Sequence, residues 1–151
     1  ASQTKAPMNL IDRAFLLKKT PIFQSLDMDL LLAVSDKTEV MIFKPESTIF
    51  SLGQQGYTLY VIMEGCLKIT KSNLSQEIIL KSQDCFGEES VFSNKTREYT
   101  ASATTQVRTL VLNKSQILNI IEECPSVALS FLELYSKQVG LRLPLKYLNQ
   151  R

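Results

Sequence analysis

The amino-acid sequence predicts a mainly β fold with flanking helices, an antiparallel β-barrel or jelly roll between N-terminal and C-terminal helices. Between Glu39 and Leu112, short runs rich in β-branched and aromatic residues show the period of two that is typical of strands. Turn residues separate these runs at close spacing, which favours antiparallel hairpins over strands joined by helices. Apolar residues recur at helical spacing on both sides of this region. A length of 151 residues suits one domain with one hydrophobic core.

The N-terminal region, residues 8–36, carries two predicted helices. The apolar residues of its first part recur at helical spacing, and Pro21 ends the first helix. Ser25 is the predicted N-cap of a second short helix, which runs to about Asp36. Residues 1–7 are polar, and we expect them to form a disordered leader.

The β-rich region, residues 37–112, contains about eight predicted short strands. Its apolar runs span residues 39–43, 47–52, 58–65, 66–72, 76–82, 99–105 and 107–112. Gly53 and Gly56 lie between the second and the third run, and we interpret them as a hairpin loop. A phosphate-binding P-loop is disfavoured there because no Gly-Lys-Ser/Thr sequence and no helix follows.

The C-terminal region, residues 113–148, is predicted to be helical again. Asn113 or Ser115 caps its first helix, since both are N-cap residue types placed before a run of apolar residues at helical spacing. Gly140 and Pro144 weaken the end of its last long helix. The whole of residues 8–151 is therefore predicted to be a single domain.

The composition excludes several classes of function. Histidine is absent, which removes Ser-His-Asp and Cys-His catalysis and every histidine-containing zinc site. The 17 basic and 15 acidic residues give a net charge of only +2, so we expect no direct nucleic-acid binding. Because histidine and closely spaced cysteines are absent, we also expect no metal. Three cysteines without close spacing are typical of reduced thiols in the cytoplasm. No apolar stretch approaches the roughly 20 residues that cross a bilayer.

The segment from Cys85 to Arg97 is the candidate functional site. A single helical turn is predicted to begin near Gly87, where the missing side chain lets a ligand approach the backbone. Arg97 can present its guanidinium to phosphate oxygens, and Glu88 would then face a hydroxyl group of the same ligand. These features predict a pocket for a sugar joined to a phosphate. In the alternative interpretation, Glu88 and Arg97 form an ion pair that fixes the loop.

The same residues carry a resemblance to a known family. The sequence FGEES, the arginine nine residues after Glu88 and the closing TASA resemble the phosphate-binding cassette of cyclic nucleotide-binding domains. The upstream segments KTPIFQSL and IFSLGQQGYTLYVIMEGCLKI and the downstream LNKSQILNII are also similar to that family, so the resemblance covers nearly the whole chain. We assign the cassette to residues 86–99.

The resemblance implies a role for each residue of the cassette. Glu88 would hold the ribose 2′-hydroxyl and Arg97 the cyclic phosphate of cAMP or cGMP. The backbones of Gly87, Glu89 and Ser90 would complete the cradle. In the family, the helix after the barrel closes over the base as a lid, so the C-terminal helices would be lid helices. Val91, Phe92 and the segment 141–148 are the candidates for base and hinge contacts.

Two positions of the cassette depart from the family pattern. Glu98 stands where a small or hydroxyl residue is usual, and the bulky Tyr99 stands where alanine is usual. Both are candidate ligand-binding residues, yet either would contradict ligand binding if its side chain filled the gap between Arg97 and Gly87. The alternative is a ligand-free version of the fold that serves as a protein-interaction or structural module. The threonine that often favours guanine after the arginine is missing, which favours cAMP over cGMP.

The resemblance also sets expectations for partners and location. The domain would be a regulatory switch and not an enzyme, although Glu88 and Glu89 leave carboxylate catalysis as a remote alternative. Its effector would be a channel, a transporter, a kinase or a DNA-binding domain outside these 151 residues. We expect a cytoplasmic location, or the cytoplasmic side of a membrane protein.

Overall fold

The computed structural model describes residues 8–139 and 144–148. The predicted leader at residues 1–7, the predicted flexible position Gly140 and the candidate contacts at 141–143 lie outside the described residues. The helices are α1 (Leu10–Lys18), α2 (Met28–Lys37), α3 (Glu88–Ser93), α4 (Lys114–Glu123), α5 (Ser126–Val139) and α6 (Leu145–Leu148). The strands are β1 (Glu39–Phe43), β2 (Thr48–Phe50), β3 (Thr58–Glu64), β4 (Leu67–Thr70), β5 (Ile78–Leu80), β6 (Cys85–Phe86), β7 (Thr100–Ala103) and β8 (Val107–Asn113).

The strands form two antiparallel four-stranded sheets, in the orders β1-β8-β3-β6 and β2-β7-β4-β5. The prediction of a mainly β jelly roll with flanking helices is confirmed, but the predicted closure into a barrel is wrong. In the described part of the chain, no ladder of backbone hydrogen bonds joins one sheet to the other. The edge strands β5 and β6 contain three and two residues, and strands this short offer few backbone groups to extend a sheet.

The strand β3 has both of its faces buried and therefore contributes to two cores. Tyr60 and Ile62 point into the core between the sheets, together with Phe50 of β2 and Phe86 of β6. Leu59 and Val61 alternate with them and pack against the helices. Because successive side chains of a strand point to opposite faces, a fully apolar run such as this one fits a strand that is covered on both sides.

The helices α1, α2 and α4 begin at side-chain caps. Asp27 accepts a hydrogen bond from the Leu30 amide at 2.9 Å and is the N-cap of α2, so the predicted cap at Ser25 is wrong. Asp27 lies two residues after Ser25, so α2 begins at Met28, two residues later than a cap at Ser25 would imply. Of the two candidates for α4, Asn113 is the cap, and it forms a capping box with Gln116.

The N-terminal and C-terminal helices share one apolar core. Phe23, between α1 and α2, contacts Phe131 of α5 edge to face with ring centroids 5.5 Å apart. Such a pair contributes roughly 0.5–1.5 kcal/mol beyond the burial of its surface. This packing holds α5 against the sheet that contains β3 and β6, beside the cassette.

None of the helices in the described residues is long and apolar enough to cross a membrane.

Candidate ligand-binding site

Gly87 connects β6 to α3 in a conformation that favours glycine. Its φ is 90°, in the left-handed region, and it is the N-cap of α3 without a side-chain hydrogen bond to that helix. A Cβ atom at this position would lie 2.8 Å from the Thr58 carbonyl oxygen and 2.9 Å from Nη1 of Arg97. The sequence-based prediction of a helical turn near Gly87 therefore agrees with the structure.

Arg97 is almost completely buried, with 3% of its surface exposed. Its Nη1 donates to the Gly87 carbonyl at 2.8 Å and to Oγ of Ser90 at 2.6 Å. Its Nη2 donates to the Thr58 carbonyl at 2.9 Å. The guanidinium thus joins the first turn of α3 to the start of β3.

The charge of Arg97 is not matched by a carboxylate within the described residues. The ion pair with Glu88, which was the alternative interpretation, does not form, and the described ion pairs involve other residues. The Nε atom is buried and has no hydrogen-bond partner in the part of the chain that the structure describes, and the guanidinium lies 4.1 Å above the Phe50 ring. A buried cation with a free donor is costly unless an anion accompanies it, so the residues present fit a phosphate group.

A second glycine, Gly56, also lets the backbone approach Arg97 closely. A Cβ atom at Gly56 would lie 2.0 Å from Nε of Arg97. Gly56 belongs to the loop that the sequence predicted as a simple hairpin connection. Its role beside the guanidinium was missed, because 41 residues separate it from Arg97 in the chain and no local pattern reports such a contact.

Glu88 faces away from Arg97, toward Cys85 and α5. Its Oε2 lies 3.8 Å from Sγ of Cys85, and burial together with the neighbouring Glu89 carboxylate raises the pKa of Glu88 to about 8. The carboxyl group lines a cavity of about 180 Å³ whose wall includes Leu80, Leu134 and Tyr135. At neutral pH this carboxyl is largely uncharged and can both donate and accept a hydrogen bond.

The raised pKa of Glu88 predicts a dependence of stability on pH. The folded protein holds this proton over a range in which the unfolded chain has released it, so the free energy of unfolding falls as the pH rises from about 4.5 to about 8. We expect a loss of about 1–3 kcal/mol between about pH 5 and pH 8, measured by urea unfolding. Since the chain has no histidine, no side chain with an ordinary pKa between about 5 and 8 adds to this change.

The variant Glu88→Gln is the matched control for this effect, because an amide resembles the uncharged carboxyl and does not titrate. We expect it to match the wild type near pH 5 and to be the more stable protein near pH 8. Equal pH profiles for the two proteins would show that Glu88 ionises normally.

Tyr99 reaches into the cassette, whereas Glu98 does not. The Gly87 amide donates to the Tyr99 hydroxyl at 3.0 Å, and the Tyr99 ring packs on Phe50 with centroids 5.3 Å apart. Burial and the Glu89 carboxylate raise the pKa of the Tyr99 phenol. Glu98 is exposed and pairs with Lys95 at 3.6 Å. The Tyr99 hydroxyl therefore accepts the hydrogen bond of the Gly87 amide, although the sequence predicted that this backbone group binds a ligand.

The remaining candidates are divided between core and surface. Val91 is buried in the core beneath the helices, while Phe92 is 42% exposed and packs against Phe131 with centroids 5.6 Å apart. Glu89 is exposed, and its carboxylate lies near Glu88 and the Tyr99 hydroxyl. Tyr135 of α5 was not predicted, although it lines the cavity beside Glu88; its position at helical spacing from Phe131 was the available signal.

The fold is a two-sheet jelly roll, a helical turn begins at Gly87, and the buried Arg97 lies beneath that turn. Together these features define a cyclic-nucleotide-binding type of domain. The profile of the cyclic nucleotide-binding domain family matches residues 40–124. The chain belongs to this family. Within the described residues, no three carboxylate or cysteine side chains come together as a metal site would require.

Individual relatives include regulators and channels. The chain is 25% identical over 130 residues to a CRP-like cAMP-activated global transcriptional regulator of Mycobacterium tuberculosis, covering 82% of this chain and 57% of that protein. It is 29% identical over 116 residues to the bovine cyclic nucleotide-gated channel alpha-2, covering 72% of this chain and 18% of the channel. The chain therefore spans little more than half of the regulator and a small part of the channel.

Solved structures show the same fold. The N-terminal domain of a transcriptional regulator from Streptomyces coelicolor superposes with a TM-score of 0.74 and 25% identity, covering 82% of this chain and 90% of that one. The regulatory domain of Toxoplasma gondii PKA, crystallised with cAMP, gives a TM-score of 0.71 at 22% identity, covering 85% of this chain and 48% of that one.

Proposed function

We propose that this chain is a regulatory domain that binds a cyclic nucleotide. The observation that carries the proposal is the buried guanidinium of Arg97, whose Nε has no partner and whose charge is matched by no carboxylate in the described residues. A cyclic phosphate supplies one negative charge and several acceptor oxygens, which is what this environment needs. The uncharged Glu88 does not repel such an anion at neutral pH.

The ribose and the base of the ligand would extend from Arg97 toward Glu88. A ribose hydroxyl can exchange hydrogen bonds with the Glu88 carboxyl, and the cavity next to it offers Leu80 and Leu134 as apolar surface for a base. We propose cAMP over cGMP, since position 98 carries a glutamate that turns to Lys95 and offers no hydroxyl to guanine. The cAMP-activated mycobacterial regulator supports this choice.

Ligand binding would be coupled to the helix α5. Tyr135 and Leu134 of that helix line the same cavity as Glu88, so a nucleotide that fills the cavity contacts α5 directly. A ligand shifts a conformational equilibrium only by its difference in affinity for the two states. The contacts of Tyr135 and Leu134 provide that difference, and the effector attached to this domain would respond to the position of α5.

Hydrogen exchange followed by mass spectrometry tests binding and coupling together. With saturating cAMP, we expect exchange to slow in the cassette and, by roughly tenfold, in α5, which corresponds to a coupling free energy of about 1.4 kcal/mol. The strand β3, buried on both faces, is the internal control. Protection of the cassette without protection of α5 would contradict coupling, and protection of neither by cAMP or cGMP would contradict the sensor function.

The effector itself would be a channel, a transporter, a kinase or a DNA-binding domain. The relatives combine this fold with transcriptional regulation and with an ion channel, and the chain matches only part of each. A cytoplasmic location, or the cytoplasmic side of a membrane protein, is the proposal that agrees with these relatives. The role proposed for the domain is regulatory and not catalytic.

A second candidate function has one specific observation in its favour. The Tyr99 hydroxyl accepts the hydrogen bond of the Gly87 amide, so the cassette is satisfied at this point without a nucleotide. A ligand-free domain that serves as a protein-interaction or structural module would have this arrangement permanently. Failure of both cAMP and cGMP to bind would favour this candidate.

A further inference from the structure

Both backbone polar groups of Gly87 are held by side chains of one short segment. The Gly87 carbonyl accepts from Arg97 at 2.8 Å, and the Gly87 amide donates to the Tyr99 hydroxyl at 3.0 Å. The two side chains also share one support, because the Arg97 guanidinium and the Tyr99 ring both lie against Phe50. Tyr99 therefore belongs to the same cluster as the cation that would attract the ligand.

We propose that Tyr99 is a built-in competitor that the nucleotide must displace from the Gly87 amide. This inference rests on the proposed function, since it concerns the same ligand site. A single N–H group makes one well-aligned hydrogen bond, so a ligand oxygen and the Tyr99 hydroxyl cannot both occupy it. The phenol takes the place of a ligand oxygen, and it keeps the Gly87 amide hydrogen-bonded until a ligand arrives.

The competition favours the ligand when its concentration is high enough. A bound nucleotide brings a phosphate whose hydrogen bonds are about twice as strong as those between neutral groups, and this gain compensates for the displaced phenol. The displaced hydroxyl retains a partner, because the Glu89 carboxylate lies close enough to raise its pKa. The consequence is a higher threshold concentration for binding than the cassette would have without Tyr99.

The alternative role for Tyr99 is that of a positive contact, in which its hydroxyl donates to the phosphate and stays in place. The two roles predict opposite effects of removing the hydroxyl alone. Tyr99→Phe leaves the ring on Phe50 and removes the hydroxyl, with its contacts to the Gly87 amide and the Glu89 carboxylate. Tyr57→Phe is the matched control, since Tyr57 is exposed and its hydroxyl contacts only Gln55 among the described residues, at 3.5 Å.

The test is calorimetric titration of wild type, Tyr99→Phe and Tyr57→Phe with cAMP and with cGMP. We expect Tyr99→Phe to lower the Kd by about two- to tenfold, the range that the loss of one neutral hydrogen bond allows, and Tyr57→Phe to leave the Kd unchanged. We also expect the Gly87 amide, observed by nitrogen-15 NMR, to exchange faster in ligand-free Tyr99→Phe than in wild type.

The outcomes separate this inference from the proposed function. An unchanged or higher Kd in Tyr99→Phe overturns the competitor role but leaves nucleotide binding intact. If neither protein binds cAMP or cGMP, the proposed function and the competitor role both fail. Unchanged Gly87 exchange in Tyr99→Phe overturns the inference whatever the titrations show, because the hydroxyl then does not hold that amide in solution.

Discussion

Replacing Arg97 with alanine is expected to weaken cyclic nucleotide binding by roughly 100- to 1,000-fold, or about 3–4 kcal/mol. The guanidinium is the buried positive charge of the site, and its Nε is a donor without a hydrogen-bond partner among the described residues. Charge-assisted hydrogen bonds contribute about 1.5–3 kcal/mol each, so the loss of two accounts for the magnitude. Calorimetric titration with cAMP measures it directly.

Two further variants separate the role of Arg97 in binding from its role in the fold. Arg97→Lys keeps a charge but loses the planar fork, so we expect an intermediate loss of affinity, roughly tenfold. Arg108→Ala removes an arginine that pairs with Glu64 at 3.5 Å outside the cassette, and affinity should not change. Circular dichroism establishes that each variant folds. A folded Arg97→Ala protein that binds cAMP as wild type does would refute the assignment.

Gly87→Ala is expected to reduce both stability and binding. The backbone there has a φ of 90°, and the new Cβ would lie 2.8 Å from the Thr58 carbonyl, a backbone atom that cannot easily move. We expect a loss of about 2–4 kcal/mol in the free energy of unfolding, from conformational strain and the clash together. Because the same Cβ displaces Nη1 of Arg97, affinity for cAMP should fall at least about tenfold.

Gly53→Ala is the matched control for the crowding at Gly87. Gly53 has nearly the same φ, 89°, but a Cβ there would have nothing within 4 Å. We expect it to cost only the conformational term, about 1–2 kcal/mol, with no change in affinity. Equal losses of stability in the two variants would show that the space around Gly87 is not restricted. Urea unfolding and calorimetry provide both measurements.

The sequence predicted the helices and strands that have a local residue pattern, and it missed the features that depend on pairing between distant strands. Strand β1 matches its predicted limits because its β-branched run lies between polar residues. Strand β6 has two residues, too few for any period, and it exists because Cys85 and Phe86 pair with β3. The open sheets were missed for the same reason, since closure depends on long-range hydrogen bonds. The cap of α2 was misplaced because serine and aspartate are equally good N-caps.

The candidate site was predictable where its residues follow one another in the chain. Gly87, Ser90 and Arg97 come together as the spacing within the cassette suggested. Thr58 and Phe50, which hold the guanidinium from β3 and β2, were not predicted, because they lie 39 and 47 residues before Arg97 in the sequence. The sequence indicated Tyr99 only as a residue that could obstruct the site. Its contact with the Gly87 amide was not predicted, because a sequence determines neither the rotamer of a side chain nor its hydrogen bonds.

The burial of β3 on both faces restricts how a bound nucleotide could affect the helices. Displacing this strand would disturb the aromatic residues between the sheets and the aliphatic residues under the helices at the same time, and close-packed interiors resist such shifts. Movement is far less costly at the periphery, where the six residues of α3 and the side chain of Tyr135 meet beside the cavity. Ligand binding would therefore affect the helices through contacts at the edge of the sheet and not through its central strand β3.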